Sequence, residues 1–157
     1  MKKQSVLFVC LGNICRSPAA EAIFLDLINK KGLNDCFIVD SAGTGSWHIG
    51  KKADTRMRIA SQKRGVEILS RARQINFNDF EKFNYIVAMD DSNYENIIDL
   101  KSRIPLSDFA SIKKIQNFRS IFQEIEVPDP YFGGDEGFDH VLDILEDSVS
   151  GFLDTIC

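Results

Sequence analysis

The sequence predicts an α/β fold with a mostly parallel sheet, and three observations predict it. Ser5 to Cys10 (S-V-L-F-V-C) is an unbroken apolar run, the pattern of a strand covered on both faces. Strand-like and helix-like segments then alternate along the chain, as they do when helices cross over between parallel strands. The length of 157 residues and the apolar content of 44% suit one domain over residues 1–157, with a core made bulky by twelve Phe.

The elements follow in order. After the first strand, Ser17-Pro18 opens a helix, with Ser as N-cap and Pro pre-organised for the first helical position. Ala20, Phe24, Leu27 and Ile28 recur at helical spacing and Gly32 ends the element. Cys36 to Asp40 reads as a second strand, and Ser41 to Gly50 as a loop holding three Gly and the only Trp. Asp54 caps a helix that runs to about Arg64, with Gly65 as its stop. The segment Phe83 to Met89 holds a third strand, Y-I-V-A-M. Asp90 to Asn93 supplies caps for a helix through Leu100. Lys114 to Phe118 is a weaker fourth strand, and Val127 to Gly134 is a Pro/Gly loop. Phe138 to Ile156 is a final amphipathic helix with Val141, Leu142, Leu145, Val149, Phe152 and Leu153 on one stripe.

Ligands in such folds sit beyond the carboxyl ends of the strands. That rule brings Cys10 to Arg16, Ser41 to Gly50 and Asp90 to Asn93 together. Residues 10 to 17 read C-L-G-N-I-C-R-S: a Cys ends a buried strand, an Arg stands six positions on at 16, and a helix begins. A tight loop feeding a helix N-terminus turns backbone N–H groups toward one point, which suits an anion. Gly12 and Asn13 are the residues able to take φ > 0 in such a loop. Arg16 adds a bidentate grip on two oxygens of a phosphate that Lys does not match in geometry. The same surroundings favour the thiolate of Cys10 over the thiol, and the Ser17 hydroxyl adds a donor. Cys10 is then a nucleophile that needs no His partner. Taken alone, a strand-end Cys is commonly a core residue; the whole string at the strand–helix junction points to chemistry. A departing phenolate or alkoxide needs a proton, and Asp129, in V-P-D-P-Y-F-G-G, is the candidate acid. Taken alone, that Asp-Pro is an ordinary turn.

Charge narrows the function classes. Lys plus Arg total 19 and Asp plus Glu total 23, a net charge of −4, so no broad nucleic-acid or anionic-membrane surface is expected. Only His48 and His140 are present, far apart, so no His-based zinc site is expected. Lys2-Lys3 ahead of Val6 to Leu11 imitates a signal peptide, but the apolar run is short and Arg16 breaks the stretch beyond it. Four cysteines in a core-rich chain suit a reducing compartment, and a cytoplasmic location is expected.

The string C-L-G-N-I-C-R-S-P at 10 to 18 resembles the N-terminal signature of the low-molecular-weight protein tyrosine phosphatases. D-S-A-G-T at 40 to 44, the Trp47 loop, A-R-Q-I at 72 to 75, A-M-D-D-S-N at 88 to 93 and D-P-Y at 129 to 131 come in matching order. The resemblance implies a single-domain, four-stranded parallel twisted sheet flanked by helices on both faces, with the phosphate-binding loop between first strand and first helix. It implies attack by Cys10 on phosphorus and protonation of the leaving oxygen by Asp129. A phosphocysteine intermediate forms and is then hydrolysed, with Asp129 as base. Arg16 and the loop Leu11, Gly12, Asn13, Ile14, Cys15 and Ser17 hold the phosphoryl oxygens. Trp47 and Tyr131 look like the walls of a substrate cleft. Cys15 looks like a redox partner for Cys10. Asp90, Ser41 and Asn13 brace the loop, while Phe132 stands where the family often has Tyr, and His48 is at a variable position. No metal and no cofactor are implied. The implied partners are phosphotyrosine-containing proteins, with inorganic phosphate and other oxyanions as product or inhibitors.

Three rivals share part of this pattern. Arsenate reductases of this fold need further cysteines, and residues 76 to 110 contain none. Arginine phosphatases of this fold resemble it more closely but carry Thr where apolar Ile14 stands. A phosphocysteine carrier of a sugar-uptake system would need neither Arg16 nor Asp129, and a catalytically idle anion-binding module is a further alternative.

Overall fold

The computed structural model describes residues 2–105 and 110–157. Strands β1 (Gln4–Cys10), β2 (Phe37–Gly43), β3 (Tyr85–Ala88) and β4 (Ser111–Lys114) form one parallel sheet in the order β2-β1-β3-β4. The helices are α1 (Arg16–Lys30), α2 (Thr55–Lys63), α3 (Asp79–Lys82), α4 (Asp91–Ser102) and α5 (Glu136–Ile156). β1 is central and lacks polar alternation because both of its faces are covered. Val6, Phe8 and Cys10 point into the larger core beneath α1, α2 and α5. Leu7 and Val9 point into the smaller core with Phe80 of α3 and Ile97 of α4. The Phe-rich composition collects in the larger core. Phe152 of α5 lies edge-on to Phe8, Tyr85 and Phe118, with centroids 6.3, 5.6 and 5.1 Å away.

The expected caps at α2 and α4 are present. Asp54 accepts from Arg56 N at 2.9 Å and Asp90 from Asn93 N at 2.7 Å. Gly32 and Gly65, just past α1 and α2, have φ of 68° and 79°, the left-handed stop that a side chain resists.

Four expectations need correction. α1 starts at Arg16, not at a Ser17 cap, because the Ser17 hydroxyl is engaged by the loop behind it. Pro18 is still tolerated, since a first-turn residue has no intrahelical acceptor for its N–H. β2 runs on through Ser41, Ala42 and Gly43, which pair with Phe8, Val9 and Cys10 of β1, so the loop begins only at Thr44. The fourth strand is Ser111–Lys114, and 115–118 form a 3-10 helix that buries Ile115 under α5. Cys36 belongs to a 3-10 turn (Asn34–Cys36), and the short α3 is an element that the periodicity of the sequence does not predict.

Candidate active site

The loop after β1 returns at once into α1, so residues 10–16 curl at the carboxyl end of the central strand. Asn13 makes the turn with φ 58°; Gly12, the other residue expected to do so, does not. A Cβ on Gly12 would instead come within 3.0 Å of the His48 ring, so its small size admits His48. The curl brings Asn13 N to 3.3 Å from Cys10 Sγ, toward which it donates. The Ser17 hydroxyl stands 3.0 Å from the same sulfur.

The Asn13 side chain locks this arrangement. Its Nδ2 donates to Ser17 Oγ at 2.8 Å and Ser41 Oγ at 3.0 Å, and its Oδ1 accepts from Arg73 N at 3.0 Å. The Ser41 hydroxyl donates in turn to Glu21 at 2.6 Å. Burial pushes the Glu21 carboxyl above its ordinary range, and the Ser41 hydroxyl only partly opposes that rise. The end of β2 closes the far side: Thr44 N donates to Cys10 O and Gly45 N to Leu11 O, both at 2.9 Å. Gly43 is required there, since a Cβ would fall 2.7 Å from Leu11 O. The expected bracing by Asn13, Ser41 and Asp90 is therefore present in the geometry. Arg73, in the A-R-Q-I string at 72 to 75, joins it, as does Glu21, which no local motif announces.

Arg16 is buried, with its side chain 3% exposed. Its Nη1 donates to Asp90 Oδ2 at 2.6 Å and to Val127 O at 3.2 Å. Nη2 lies 3.5 Å from Asp129 Oδ2. Burial alone would lower the Arg16 pKa, but Cys10, Asp90 and Asp129 raise it, so the guanidinium stays charged. Asp90 thus serves as helix cap and as Arg16 anchor at once. Cys15 is the opposite case. Burial pushes its thiol far up, Asp54, Cys10 and Asp129 add to the rise, and Arg16 opposes it, so Cys15 is a neutral thiol.

These groups floor a cleft of about 280 Å³ that contains Cys10, Ile14, Cys15, Arg16 and Asp129. Its walls are Leu11, Trp47, His48, Tyr131 and Phe132. Trp47 is 68% exposed and Phe132 94%, so neither is a core residue. Asp129 is partly exposed at the rim, with Oδ1 accepting from Tyr131 N at 3.1 Å. A larger groove of about 580 Å³ runs along α1 and residues 65–70, but it holds no thiol and no Arg. Among the described residues, no cluster of three or more His, Cys, Asp or Glu is placed to hold a metal ion.

The family model described as low molecular weight phosphotyrosine protein phosphatase matches residues 5–157. The chain belongs to that family. A low molecular weight phosphotyrosine protein phosphatase of Schizosaccharomyces pombe is 42% identical, covering 99% of this chain and 98% of its own. The structure also matches a crystal structure of a protein tyrosine phosphatase from Entamoeba histolytica, a product-state mimic. The TM-score is 0.91 at 44% identity, over 98% of this chain and 96% of that one. The fold of Drosophila arginine phosphatase matches equally well, with TM-score 0.91, 34% identity and 96% of each chain covered. A match of fold therefore does not by itself tell a tyrosine phosphatase from an arginine phosphatase, and the side chains of the cleft must do so.

Proposed function

We propose that this family member hydrolyses phosphotyrosine in proteins, and aryl phosphates, through a phosphocysteine on Cys10. The observation that carries the reading is the joint placement of Cys10 Sγ beside the Asn13 amide and the Ser17 hydroxyl and of Arg16 beside Asp129 across one cleft. In the first step the Cys10 thiolate attacks phosphorus and the bond from phosphorus to the phenolic oxygen breaks. Asp129 gives its proton to that oxygen. In the second step Asp129, now a carboxylate, takes a proton from water. The water oxygen attacks phosphorus, the S–P bond breaks, and the thiolate and inorganic phosphate are released. Arg16 and the loop amides of residues 11–15 hold the phosphoryl oxygens throughout, where charge builds up. With Nη1 held by Asp90 and Val127, the Nε–Nη2 edge is the side of Arg16 left to grip phosphate.

The apolar, aromatic walls at Trp47 and Tyr131 suit a phenyl ring. The Ile14 side chain in the same cleft offers no polar atom to a phosphorylated guanidinium, which favours the phenolic ester over phosphoarginine. A carrier that hands phosphate to a sugar has no use for the Arg16–Asp129 pair. The working partners are thus phosphotyrosine proteins, with phosphate and similar oxyanions as product or inhibitors and no metal or cofactor. The four cysteines stand unpaired, which suits the reducing cytoplasm. No helix among the described residues is long and apolar enough to cross a membrane.

Turnover of p-nitrophenyl phosphate and of a phosphotyrosine peptide tests the reading. Cys10→Ser is expected to abolish both, and Asp129→Ala to slow both by about 10²-fold or more while phosphate still binds. Full activity in Cys10→Ser would remove the mechanism. We also assign Cys15 as a reversible guard of Cys10. After peroxide and reduction, Cys15→Ala is expected to recover less activity than wild type, and equal recovery refutes the assignment.

A further inference from the structure

We propose that Arg56 is a positioning residue for the reaction, a strut that holds the Asp129 loop in register with the phosphate loop. The inference rests on the phosphatase reading given above. The strut begins at the phosphate loop, where Asp54 N donates to Ile14 O at 2.8 Å. The Asp54 carboxylate then grips Arg56 as a fork, Nε to Oδ1 at 3.1 Å and Nη2 to Oδ2 at 3.0 Å. From the other side of the same guanidinium, Nη2 donates to Tyr131 O at 2.9 Å and Nη1 reaches Gly133 O at 3.5 Å. The guanidinium carbon lies 4.6 Å from the centroid of the Phe138 ring and 5.7 Å from that of Tyr131.

The start of the acid loop is fixed by the buried Val127, whose N–H donates to Met89 O at 3.0 Å, and Tyr131 packs against the core; the polar hold on the rest of the loop is thin. Among the described residues, the hydrogen bonds that reach 128–133 from outside the loop all come from Arg56. The remaining polar tie of 128–133 is the Arg16–Asp129 ion pair at 3.5 Å, which substrate phosphate would compete for. Tyr131, the residue Arg56 pins by its carbonyl, donates its own N–H to Asp129 Oδ1. Arg56 therefore acts on the general acid through one intervening residue and touches no reacting atom. A planar fork with several donors is needed to join a carboxylate on one side to carbonyls on the other, and a lysine ammonium lacks that shape.

The test compares kcat/KM for phenyl phosphate, whose leaving group needs a proton, with that for dinitrophenyl phosphate, whose leaving group does not. It uses wild type, Arg56→Ala, Arg56→Lys, Asp129→Ala and the Arg56→Ala/Asp129→Ala double variant. Arg56→Ala is expected to lose roughly tenfold on phenyl phosphate, part of the 10²–10⁴ that a placed acid supplies, and little on the dinitrophenyl ester. Inhibition by inorganic phosphate should be unchanged. In the Asp129→Ala background the Arg56 substitution should cost less than about twofold, because the group it positions is gone. Equal losses on both esters, no loss on either, or the full loss repeated in the Asp129→Ala background would each overturn the strut. An Asp129→Ala protein that treats the two esters as wild type does would instead overturn the acid assignment, and the strut with it. Arg56→Lys, which keeps the charge over Phe138, gives the same contrast should Arg56→Ala fail to fold.

Discussion

Asn13 combines two demands that no other common residue meets together. Its backbone takes φ 58°, which a Cβ-bearing residue resists by about 1–2 kcal/mol unless its side chain helps locally. Its amide joins Ser17, Ser41 and the N–H of Arg73 behind the sulfur of Cys10. Replacement by Gly keeps the turn and loses the amide; replacement by Ala loses the amide and strains the turn. Urea denaturation should find Asn13→Ala less stable than Asn13→Gly by about 1 kcal/mol, with turnover reduced in both. Equal stabilities would contradict the backbone argument. At this scale the sequence was most informative where chemistry is contiguous. Cys10, Asn13, Arg16 and Ser17 were all legible because strand, loop and helix succeed one another within a short stretch of chain. Partners that come from afar were not: the Val127 carbonyl lies 111 residues from Arg16 and carries no side-chain signal. Nor did the sequence separate Gly12 from Asn13 as the left-handed residue, since both tolerate that conformation.

Elements were legible where a local cap or a two-faced core specifies them. Asp54 and Asp90 mark their helices by their own hydrogen bonds, and β1 announces its burial by lacking alternation. The misplaced fourth strand has a tertiary cause. Ser111–Lys114 looks polar, yet it pairs with β3 at the sheet edge, while the more apolar 115–118 turns away to pack under α5. That packing supplies a prediction. A Cβ at Gly151 of α5 would fall 2.0 Å from Phe118 O, a backbone atom that cannot swing aside. Ala in place of Gly ordinarily stabilises a helix by about 1 kcal/mol. Here Gly151→Ala should instead destabilise by about 1–3 kcal/mol, read as a lower denaturant midpoint. An unchanged or higher midpoint would show that α5 can move off the 115–118 turn freely.

Across the whole molecule, α5 is also tied to the 120–122 segment by a single buried carboxylate. Burial alone would raise the Asp147 pKa, but the backbone N–H groups of Ile121, Phe122 and Ser120 and the Ser120 hydroxyl hold it below its ordinary 3.8. A carboxylate whose folded pKa is lowered contributes stability above its unfolded value and loses it as pH falls through the folded value. Folding free energy should therefore be insensitive to this group at neutral pH and decline below about pH 4. Asp147→Asn should be less stable at pH 7 by about 1–3 kcal/mol and show a shallower acid decline; an identical slope would remove Asp147 as a source of it. The molecule as a whole carries net charge −4, yet its cleft is centred on the buried cation Arg16. An anion is thus drawn by local geometry and not by overall charge.

Turnover depends on one covalent bond, from sulfur at position 10 to phosphorus. Rapid denaturation during turnover of a radiolabelled aryl phosphate, followed by fragment mass spectrometry, tests it most directly. Label is expected on Cys10, absent from Cys15 and absent altogether from Cys10→Ser. Turnover at the normal rate with no label on the protein, or with label on another residue, would contradict the account.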